Sequence, residues 1–492
     1  MNMSQGIFKV PKTMSTQHPD NVNTPFFACN PLMGGEEEVL EAYYAYSHLY
    51  CREQMWDCEG KEVDNFVVKK LLSKYDSFFS QNQIGKDVFL TLRLPNPEIE
   101  KTEAKILLET LESIPRSYDI AKIFYGNDIA PIFEVILPMT TSYESIDNIY
   151  QYYCEFVIGK QYKKLGGRNI KISDWIGEFR PEKINIIPLF ENREGMLNSD
   201  KIVRRYIENK DLDYQRVFFA RSDPAINYGN IGAVLLNKIA LMKMSVLSEN
   251  AGIPIYPIIG VGSAPFRGNL RPDNIERVTE EYPGVQTFTI QSAFKYDYPA
   301  DLVREGIQKL EERIPGASLD VDEDSSLYLF DKCSEEYYKR LYKLCPLINR
   351  VAEYIPGRRK RKLHIGLFGY SRNNGGLNLP RAITFTAACY SLGLPPEILG
   401  IAAIKDSDYD KLCDVYLHFE NDLRDAMKYA NSDSPYIPKE DYKFASEILG
   451  DFETDPEHKE ATDVIIKKLS SNHMDEAGPY ILRAANRRKF LG

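Results

Sequence analysis

The sequence predicts an α/β fold: a parallel (β/α)8 barrel of the TIM type, with additional helices and a largely helical C-terminal region. Between Asp87 and Ser292, short apolar runs rich in β-branched residues alternate with longer amphipathic segments. The runs are continuously apolar rather than alternating, which is typical of strands buried on both faces of a sheet. Strand–helix alternation at this spacing favours a parallel barrel over a sandwich.

The predicted elements can be followed along the chain. The segment up to about Asn30 is rich in proline, asparagine and threonine and is predicted as an ordered loop. GEEEVLEAYYAYSHLYCREQMW has helical spacing, with acidic residues in its first turn, where the helix dipole favours them. EKTEAKILLETLESI and NIGAVLLNKIALMKMSVLSENAG are also predicted helices, and Asn250 and Gly252 end the second. The predicted strands cover about 88–93, 132–138, 184–190, 216–221, 254–261 and 285–291.

After about Tyr298 the sequence becomes largely helical, from DLVREGIQKLEERI to the last residues. The exception is a glycine-rich stretch from Gly366 to Arg381. We therefore expect a single domain over 1–492, with barrel strands mainly in 87–292 and a helical part at about 300–492. The basic segment Gly357–Lys362 is interpreted as a solvated surface turn.

Composition limits the class of protein. The 492 residues are 43% hydrophobic and 27% charged, which is typical of a soluble globular protein. A formal net charge of −10 and a pI of about 5.4 argue against a nucleic-acid partner. The eight cysteines are scattered without a C-x-x-C pair, MNMSQGIFKVPK lacks the apolar region of a signal peptide, and prolines break the apolar stretch IPIYPIIGVGSAPF. These features predict a cytoplasmic enzyme that does not bind membranes.

Charged side chains follow the predicted strands at the points where the strands end. Arg93, Arg221 and Arg267 lie at three such ends, and the carboxylates Glu191 and Asp223 lie at two. The carboxyl ends of barrel strands form one face, where the active site is built. Arginine forks bind phosphate and carboxylate, and paired carboxylates suit a hard cation such as magnesium. The sequence therefore predicts a pocket for a small phosphorylated acid beside a metal ion.

Each of these residues also has a structural interpretation. Glu191 could be a helix N-terminal acid, Asp223 a turn aspartate before Pro224, and Arg267 a surface arginine after a glycine-rich turn. His18 lies in the polar loop TMSTQHPDN, where a histidine is more often structural than catalytic. Only His364, before the glycine-rich loop, competes with it as a candidate base.

Two glycine-rich loops are candidate anion-binding loops. GVGSAPFRGNLRP carries Arg267 and Arg271, and GLFGYSRNNGGLNLPRA carries Arg372 and Arg381. Glycines let backbone amides approach an anion closely. The polar loop WDCEGKEVDN is compact, and its residue types assign no chemistry.

Taken together, these segments resemble the archaeal-type phosphoenolpyruvate carboxylases. The similar stretches are MSTQHPDN, WDCEGK, FEVILPMTTS, PLFE, RSDPA, VGSAPFRG, QSAFKYD, GLFGYSR, LPRA and the C-terminal FLG. They run from residue 14 to 492 in the same order, so the resemblance covers nearly the whole chain. It implies a barrel with added helices, a homotetramer, and carboxylation of phosphoenolpyruvate by bicarbonate to oxaloacetate with magnesium, or manganese in its place.

The resemblance also implies roles for individual residues. In the larger bacterial and plant carboxylases, the catalytic histidine lies in a context similar to His18, and the metal carboxylates lie in contexts similar to Glu191 and Asp223. A phosphate-binding arginine is implied at Arg381, with Arg372 as its upstream partner. Together with the strand-end arginines, the predicted substrate-binding residues are Arg93, Arg221, Arg267, Arg372 and Arg381, and the predicted catalytic arginines are Arg267 and Arg271. The chain departs from the larger enzymes at Ile226, where they carry a lysine, and in the shortened loop FRGNLRP.

Three alternatives remain open from the residues. Another magnesium-enolate barrel lyase, such as a pyruvate-dependent aldolase, would need no bicarbonate and would leave the many arginines unexplained. A barrel glycosidase could use Glu134 and Glu191 as an acid–base pair, although its aromatic platforms would be limited to Trp56 and Trp175. A non-catalytic descendant would be expected to lose a metal carboxylate or His18, and the chain retains all three.

Overall fold

Eight parallel strands close into a barrel in the computed structural model, which describes residues 9–58, 64–101, 104–167, 169–360, 372–374 and 377–492. Each strand pairs with the next along the chain, and the first pairs with the eighth. The strands are β1 Thr13–Ser15, β2 Glu53–Asp57, β3 Phe89–Arg93, β4 Glu134–Leu137, β5 Asn185–Phe190, β6 Gln215–Ala220, β7 Ile255–Gly260 and β8 Thr287–Ile290. The predicted fold class is confirmed.

Six of the eight strands fall where the sequence predicts them, and the first two do not. β1 lies in the predicted N-terminal loop, and β2 lies where the first predicted helix was expected to continue. That helix ends at Ser47, and Tyr50 then adopts a φ of 65°, which takes the chain out of the helix. Glu53–Asp57 pairs along its whole length with Phe89–Arg93, so sheet pairing outweighs the helical propensity of its residues.

Helices surround the barrel and form most of the C-terminal region. They are α1 Glu36–Ser47, α2 Val67–Lys74, α3 Asp76–Phe79, α4 Ala104–Tyr125, α5 Tyr143–Tyr152, α6 Ile172–Ile176, α7 Arg193–Leu197, α8 Ser199–Ile207, α9 Ser222–Ala251, α10 Ile275–Glu281, α11 Ser292–Tyr296, α12 Ala300–Glu312, α13 Glu323–Ala352, α14 Ala382–Ser391, α15 Asp406–Val415, α16 Phe419–Met427, α17 Lys439–Leu449, α18 Pro456–Ser470 and α19 Gly478–Arg488. A short hairpin, β9 Arg372–Asn374 and β10 Leu377–Leu379, precedes α14.

The long helix α9 joins the barrel to the C-terminal region by packing against α13. It bends at Gly229, whose φ is 83°, and the Tyr337 ring lies 3.0 Å from where a side chain would begin. Both the backbone angle and this contact require glycine. Among the described residues, α9 is also the one helix long and apolar enough to cross a membrane, but 72% of its most apolar window is buried inside the protein. Such burial is found in helices of protein cores.

Two layers of side chains fill the barrel. One layer is apolar and buried, and it is formed by Met14, Met55, Ile136, Ile187, Leu189, Phe218, Ala220 and Ile258. Towards the amino ends of the strands lies a buried ionic layer, in which Arg216 donates to Glu53 at 2.7 and 2.8 Å and to Glu134 at 2.9 Å. Thr287 accepts a further hydrogen bond from Arg216 at 3.2 Å. The space left for a ligand is therefore at the carboxyl ends of the strands.

Candidate active site

An open cavity of about 930 Å³, a volume that includes the solvent space at its mouth, lies at the carboxyl ends of the barrel strands. Side chains at the ends of seven of the eight strands, or just after them, line it together with one segment of the C-terminal region. Its polar lining residues are Gln17, His18, Asp57, Arg93, Glu191, Arg221, Ser222, Asp223, Arg267, Gln291 and Arg381. The strand-end residues predicted as a site therefore meet in one cavity.

Glu191 follows β5 and is held by a backbone amide. Its Oε2 accepts a hydrogen bond from Met139 N at 2.9 Å, and Met139 follows β4. The N-cap of α7 is Asn192, whose side chain accepts from Gly195 N at 2.8 Å. Glu191 is therefore not the capping residue of the next helix, which was its structural interpretation, and its carboxylate lines the cavity instead.

Asp223 follows β6 and lies in the first turn of α9, which begins at Ser222. A carboxylate in this position is favoured by the helix dipole, so a structural contribution accompanies any other role. Asp223 and Glu191 are both half-buried at the cavity wall. Among the described residues no group of three or more His, Cys, Asp and Glu side chains is arranged around a point. Two carboxylates nevertheless suit magnesium, which commonly completes its coordination with water and substrate oxygens.

Two arginines approach the cavity from opposite parts of the chain. Arg93 ends β3, and its Nη1 lies 3.2 Å from Oδ1 of Asp57 at the end of the adjacent strand β2. Arg381 is the residue immediately before α14 in the C-terminal region. The first amides of a helix favour an anion, and a guanidinium at the same place adds a fork-shaped donor. This end of α14 is therefore suited to a phosphate group.

Arg267 is buried in the loop after β7, where its guanidinium is bound on several sides. It donates to Asp20 Oδ2 at 3.1 Å, Ser222 Oγ at 3.1 Å and the Gly492 backbone oxygen at 2.7 Å, and also to Gln291 Oε1. The side chain is 2% exposed. Arg267 thus joins three strand-end loops to the end of the chain while its positive charge borders the cavity.

Carboxylates of the C-terminal region hold the loop that carries Arg267. Glu397 accepts from Phe266 N at 2.6 Å, and Asn269 donates to Asp422 at 2.8 Å and to Asp425 at 2.9 Å. Burial raises the pKa of Glu397 to about 7 and that of Asp422 to about 6. The helical region therefore fixes the loop after β7 as well as supplying Arg381.

His18 lies in a loop that is also fixed by buried groups. Its Nδ1 is 2.9 Å from Thr16 Oγ1, and its ring lines the cavity. Asp297 accepts from the amides of Val22 and Asn23 at 2.7 Å each, and burial raises the pKa of Asp297 to about 7. Arg358 donates to the carbonyls of residues 21 and 22 at 3.0 and 2.9 Å. In the basic segment Gly357–Lys362, Arg358 and Arg359 are therefore buried rather than solvated as expected, and residues 361–362 lie outside the described part of the chain.

Two predicted arginines point elsewhere. Arg221 lines the cavity, but its guanidinium donates to Asn230 and, at 3.3 Å, to the Phe266 carbonyl. Arg271 is not among the cavity-lining residues and pairs with Asp425 at 3.0 Å. Arg372 begins β9, but its side chain, His364 and Gly375–Gly376 lie outside the part of the chain that the structure describes.

Two further positions bear on the alternatives. Glu134 begins β4 and is buried against Arg216, at the barrel end opposite Glu191, so the structure does not support the acid–base pair of a glycosidase. Ile226 is fully buried in α9, with its carbonyl accepting from Tyr337 at 2.8 Å. The position at which the larger carboxylases carry a lysine is therefore part of the core.

Gln17, Asp57 and Gln291 line the cavity but were not predicted as site residues. Asp57 was missed because β2 was not recognised as a strand, so its carboxyl end was not recognised either. Gln17 follows β1 and was missed for the same reason. Gln291 is the last residue of the predicted strand 285–291, and its partnership with Arg267 depends on two loops that are distant in sequence.

A closed parallel barrel with acids, a histidine and arginines gathered at the carboxyl ends of its strands defines a barrel enzyme. The family model described as "Phosphoenolpyruvate carboxylase" matches residues 10–492. Curated phosphoenolpyruvate carboxylases are 61% identical in Methanospirillum hungatei and 57% identical in Methanothermobacter thermautotrophicus, each over 98% of this chain and 100% of the relative. One from Pyrococcus furiosus is 50% identical, with the same coverage.

The chain belongs to the phosphoenolpyruvate carboxylase family, whose members are carboxy-lyases. The predicted family and enzyme class are confirmed. Among solved structures, the HpcH/HpaI aldolase from Desulfitobacterium hafniense DCB-2 aligns with 62% of this chain and 95% of its own, at 15% identity and a TM-score of 0.33. The barrel assignment rests on the strand order described above.

Proposed function

We propose that this enzyme carboxylates phosphoenolpyruvate with bicarbonate to give oxaloacetate and phosphate, with magnesium as cofactor. One observation carries the proposal: one cavity gathers His18, the carboxylates Glu191 and Asp223, and arginines from both the barrel and the C-terminal region. These groups match the demands of the reaction, which needs charge stabilisation for a phosphoryl group and an enolate, and a base. The resemblance of the motifs around them to those of known carboxylases supports the same roles.

Glu191 and Asp223 would hold the magnesium ion, or manganese in its place. When bound, the metal supplies positive charge that stabilises the enolate oxygen of the substrate. The Met139 amide orients the Glu191 carboxylate, and the first turn of α9 positions that of Asp223. The two side chains come from adjacent strands, so the barrel itself sets their separation.

The arginines would bind the acidic groups of phosphoenolpyruvate. Arg93 and Arg381 line the cavity from two sides, and the N-terminus of α14 adds backbone amides to the second. Arg267 adds buried positive charge, but the hydrogen bonds described above commit much of its guanidinium to the protein. We assign Arg221 and Arg271 to holding the loop after β7, since their guanidinium groups contact that loop or its partner Asp425. Arg372 remains a prediction for substrate binding.

The proposed reaction begins when a bicarbonate oxygen attacks phosphorus and the bond from phosphorus to the enol oxygen breaks. The products of this step are carboxyphosphate and the enolate of pyruvate, and catalysis consists of positioning and charge stabilisation by the arginines. His18 then accepts the carboxyphosphate proton, so that carbon dioxide and phosphate separate. The methylene carbon of the enolate attacks carbon dioxide to form oxaloacetate. Leu189, Phe218 and Ala220 form an apolar part of the cavity wall, which limits water that would protonate the enolate.

One assay tests the overall reaction. Phosphate release from phosphoenolpyruvate is measured with magnesium, with and without bicarbonate, while malate dehydrogenase converts oxaloacetate to malate and oxidises NADH. We expect phosphate release and NADH oxidation at equal rates, and both to require bicarbonate and metal. Phosphate release without bicarbonate, or release without any NADH oxidation, would contradict the proposal.

We also propose that the enzyme works in the cytoplasm as a homotetramer, without a nucleic-acid or membrane partner. The family resemblance supports the tetramer, and the net charge of −10 supports the absence of a nucleic-acid partner. Sedimentation velocity at assay concentrations measures the mass directly, and a monomer there would contradict the assembly.

A further inference from the structure

We propose that Asn96 positions the metal carboxylate Glu191 by holding the turn at Met139 in a left-handed conformation. The inference rests on the proposed metal-binding role of Glu191. Asn96 is fully buried in the loop after β3 and does not line the cavity, so it would act only through the turn.

The starting observation is the backbone of Met139. Its φ is 49°, in the left-handed region that residues other than glycine, asparagine and aspartate rarely adopt. Strained residues of this kind persist only where the surrounding structure holds them, and they cluster at functional sites. The amide of Met139 is the group that donates to Glu191 Oε2 at 2.9 Å. The strained residue therefore aims a hydrogen-bond donor at the carboxylate.

Asn96 contacts the same turn from the other side. Its Nδ2 donates to the carbonyls of Pro138 at 2.8 Å and Met139 at 3.2 Å. One primary amide thus binds two successive carbonyls, an arrangement that fixes both peptide planes on either side of the Met139 Cα. Because the Met139 amide belongs to the first of these planes, Asn96 fixes the direction in which that amide points.

Asn96 is itself held rigidly. Its side-chain Oδ1 accepts from Glu98 N at 3.0 Å, and its backbone N–H donates to Glu100 Oε2 at 3.0 Å. On the far side of the turn, Thr140 N donates to the Leu189 carbonyl at 3.0 Å, which ties the turn to the end of β5 just before Glu191. The described contacts thus form a continuous chain from the loop after β3, through the turn after β4, to the acid after β5.

Direct binding of Mn²⁺ tests the inference without relying on turnover. Free Mn²⁺ is measured by electron paramagnetic resonance in titrations of the full-length protein without substrate. Glu191→Gln is the reference, and we expect it to weaken binding severely. Asn96→Ala should raise the dissociation constant about tenfold, the lower end of the effect of outer-shell partners on metal affinity. At saturating metal, the Michaelis constant for phosphoenolpyruvate should stay close to that of the wild type.

Two further variants identify the cause. Asn96→Ala/Met139→Gly should regain most of the lost affinity, because glycine enters the left-handed region without strain. The matched control is Asn431→Ala. Asn431 is also fully buried, accepts from the amide two residues later and donates twice through Nδ2, but it lies away from the cavity. We expect it to bind Mn²⁺ as the wild type does.

The outcomes separate the inference from the proposed function. If the wild type binds no Mn²⁺, or Glu191→Gln binds it normally, the metal assignment fails and the inference fails with it. If Glu191→Gln loses binding but Asn96→Ala does not, only the inference fails. A double variant no better than Asn96→Ala would also refute action through the turn. If Asn96→Ala does not fold, Met139→Val replaces it, since a β-branched residue opposes the left-handed conformation and should weaken binding similarly.

Discussion

Arg267 and Asp20 form a buried ion pair, with Nη1 and Oδ2 3.1 Å apart, that joins the loop after β7 to the loop carrying His18. The two side chains are 2% and 0% exposed. Asp20 also accepts from Ala293 N at 2.7 Å through its other oxygen. A buried pair broken by removing one charge leaves the other uncompensated, which commonly costs about 3–5 kcal/mol.

Asp20→Asn should therefore lower both stability and substrate affinity. We expect the free energy of unfolding to fall by about 3 kcal/mol and the Michaelis constant for phosphoenolpyruvate to rise, since Arg267 loses a partner that fixes it. Denaturant unfolding and steady-state kinetics measure the two effects. Asp433→Asn, an exposed aspartate paired with Lys459, is the matched control. Wild-type values for Asp20→Asn in both measurements would show that the pair contributes little.

Asp223→Asn should lower turnover by orders of magnitude, with partial recovery at high metal concentration. The change keeps the shape of the side chain but removes one of two carboxylates proposed to bind magnesium. Circular dichroism should show an unchanged fold. Asp213→Asn is the control, because Asp213 is an exposed residue just before the amino end of the same strand. Near-normal turnover of Asp223→Asn at limiting magnesium would refute the metal assignment.

Arg381→Lys should raise the Michaelis constant for phosphoenolpyruvate and lower turnover, because a lysine cannot reproduce a bidentate guanidinium contact. Arg271→Lys should change the Michaelis constant less, since Arg271 pairs with Asp425 outside the cavity. Steady-state kinetics at saturating bicarbonate compares the two variants. A larger effect at Arg271 than at Arg381 would reverse the roles we assign to them.

His18→Asn should separate the two halves of the reaction. Oxaloacetate formation should fall by about 10²–10⁴, the usual contribution of a general base. Phosphoryl transfer should survive, so phosphoenolpyruvate should still be consumed in a bicarbonate-dependent way and yield pyruvate and phosphate. Coupling to lactate dehydrogenase measures pyruvate. Equal loss of both partial reactions would place His18 in phosphoryl transfer or folding, and unchanged oxaloacetate formation would make it a structural residue.

Glu397→Gln should remove part of the pH dependence of stability. Burial raises the pKa of Glu397 to about 7, so the folded protein binds this proton more tightly than the unfolded chain. The stabilisation is complete below about pH 4.5 and is lost as the pH rises towards 7. Over that range, wild-type stability should fall relative to the variant by about 3 kcal/mol, measured by denaturant unfolding. Parallel curves for the two proteins would contradict the raised pKa.

The strands that the sequence predicts are those whose burial is visible in their composition. β3 to β8 are continuous apolar runs, and their ends placed Arg93, Glu191 and Asp223 correctly at the cavity. β1 is only Thr13–Ser15, and β2 is Glu53–Asp57, so neither has an apolar run to recognise. These two strands are defined by pairing with neighbours that close the barrel, which is a tertiary effect.

The support around the site could not be predicted from local patterns. Asn96 and Met139 are 43 residues apart, and Arg267 and Asp20 are 247 residues apart. No periodicity relates such partners, and a buried asparagine or aspartate resembles an ordinary turn residue in the sequence. The same limit explains Arg271, which lies in a glycine-rich loop like Arg267 but is turned towards Asp425.

The side chains that fill the barrel determine by which route carbon dioxide could leave the cavity. The apolar layer around Met55 and Ile258 forms the floor of the cavity, the Arg216 cluster lies beneath that layer on the barrel axis, and both are buried. In the proposed reaction, carbon dioxide released beside the enolate would meet a closed floor. It would escape past the loops that follow the strands at the mouth of the cavity, which we call the rim loops. The fraction of carbon dioxide that escapes before the enolate captures it would then depend on the rim loops. Pyruvate should increase among the products when residues of the rim loops change, and stay constant when residues of the Arg216 cluster, which lies away from the cavity, do.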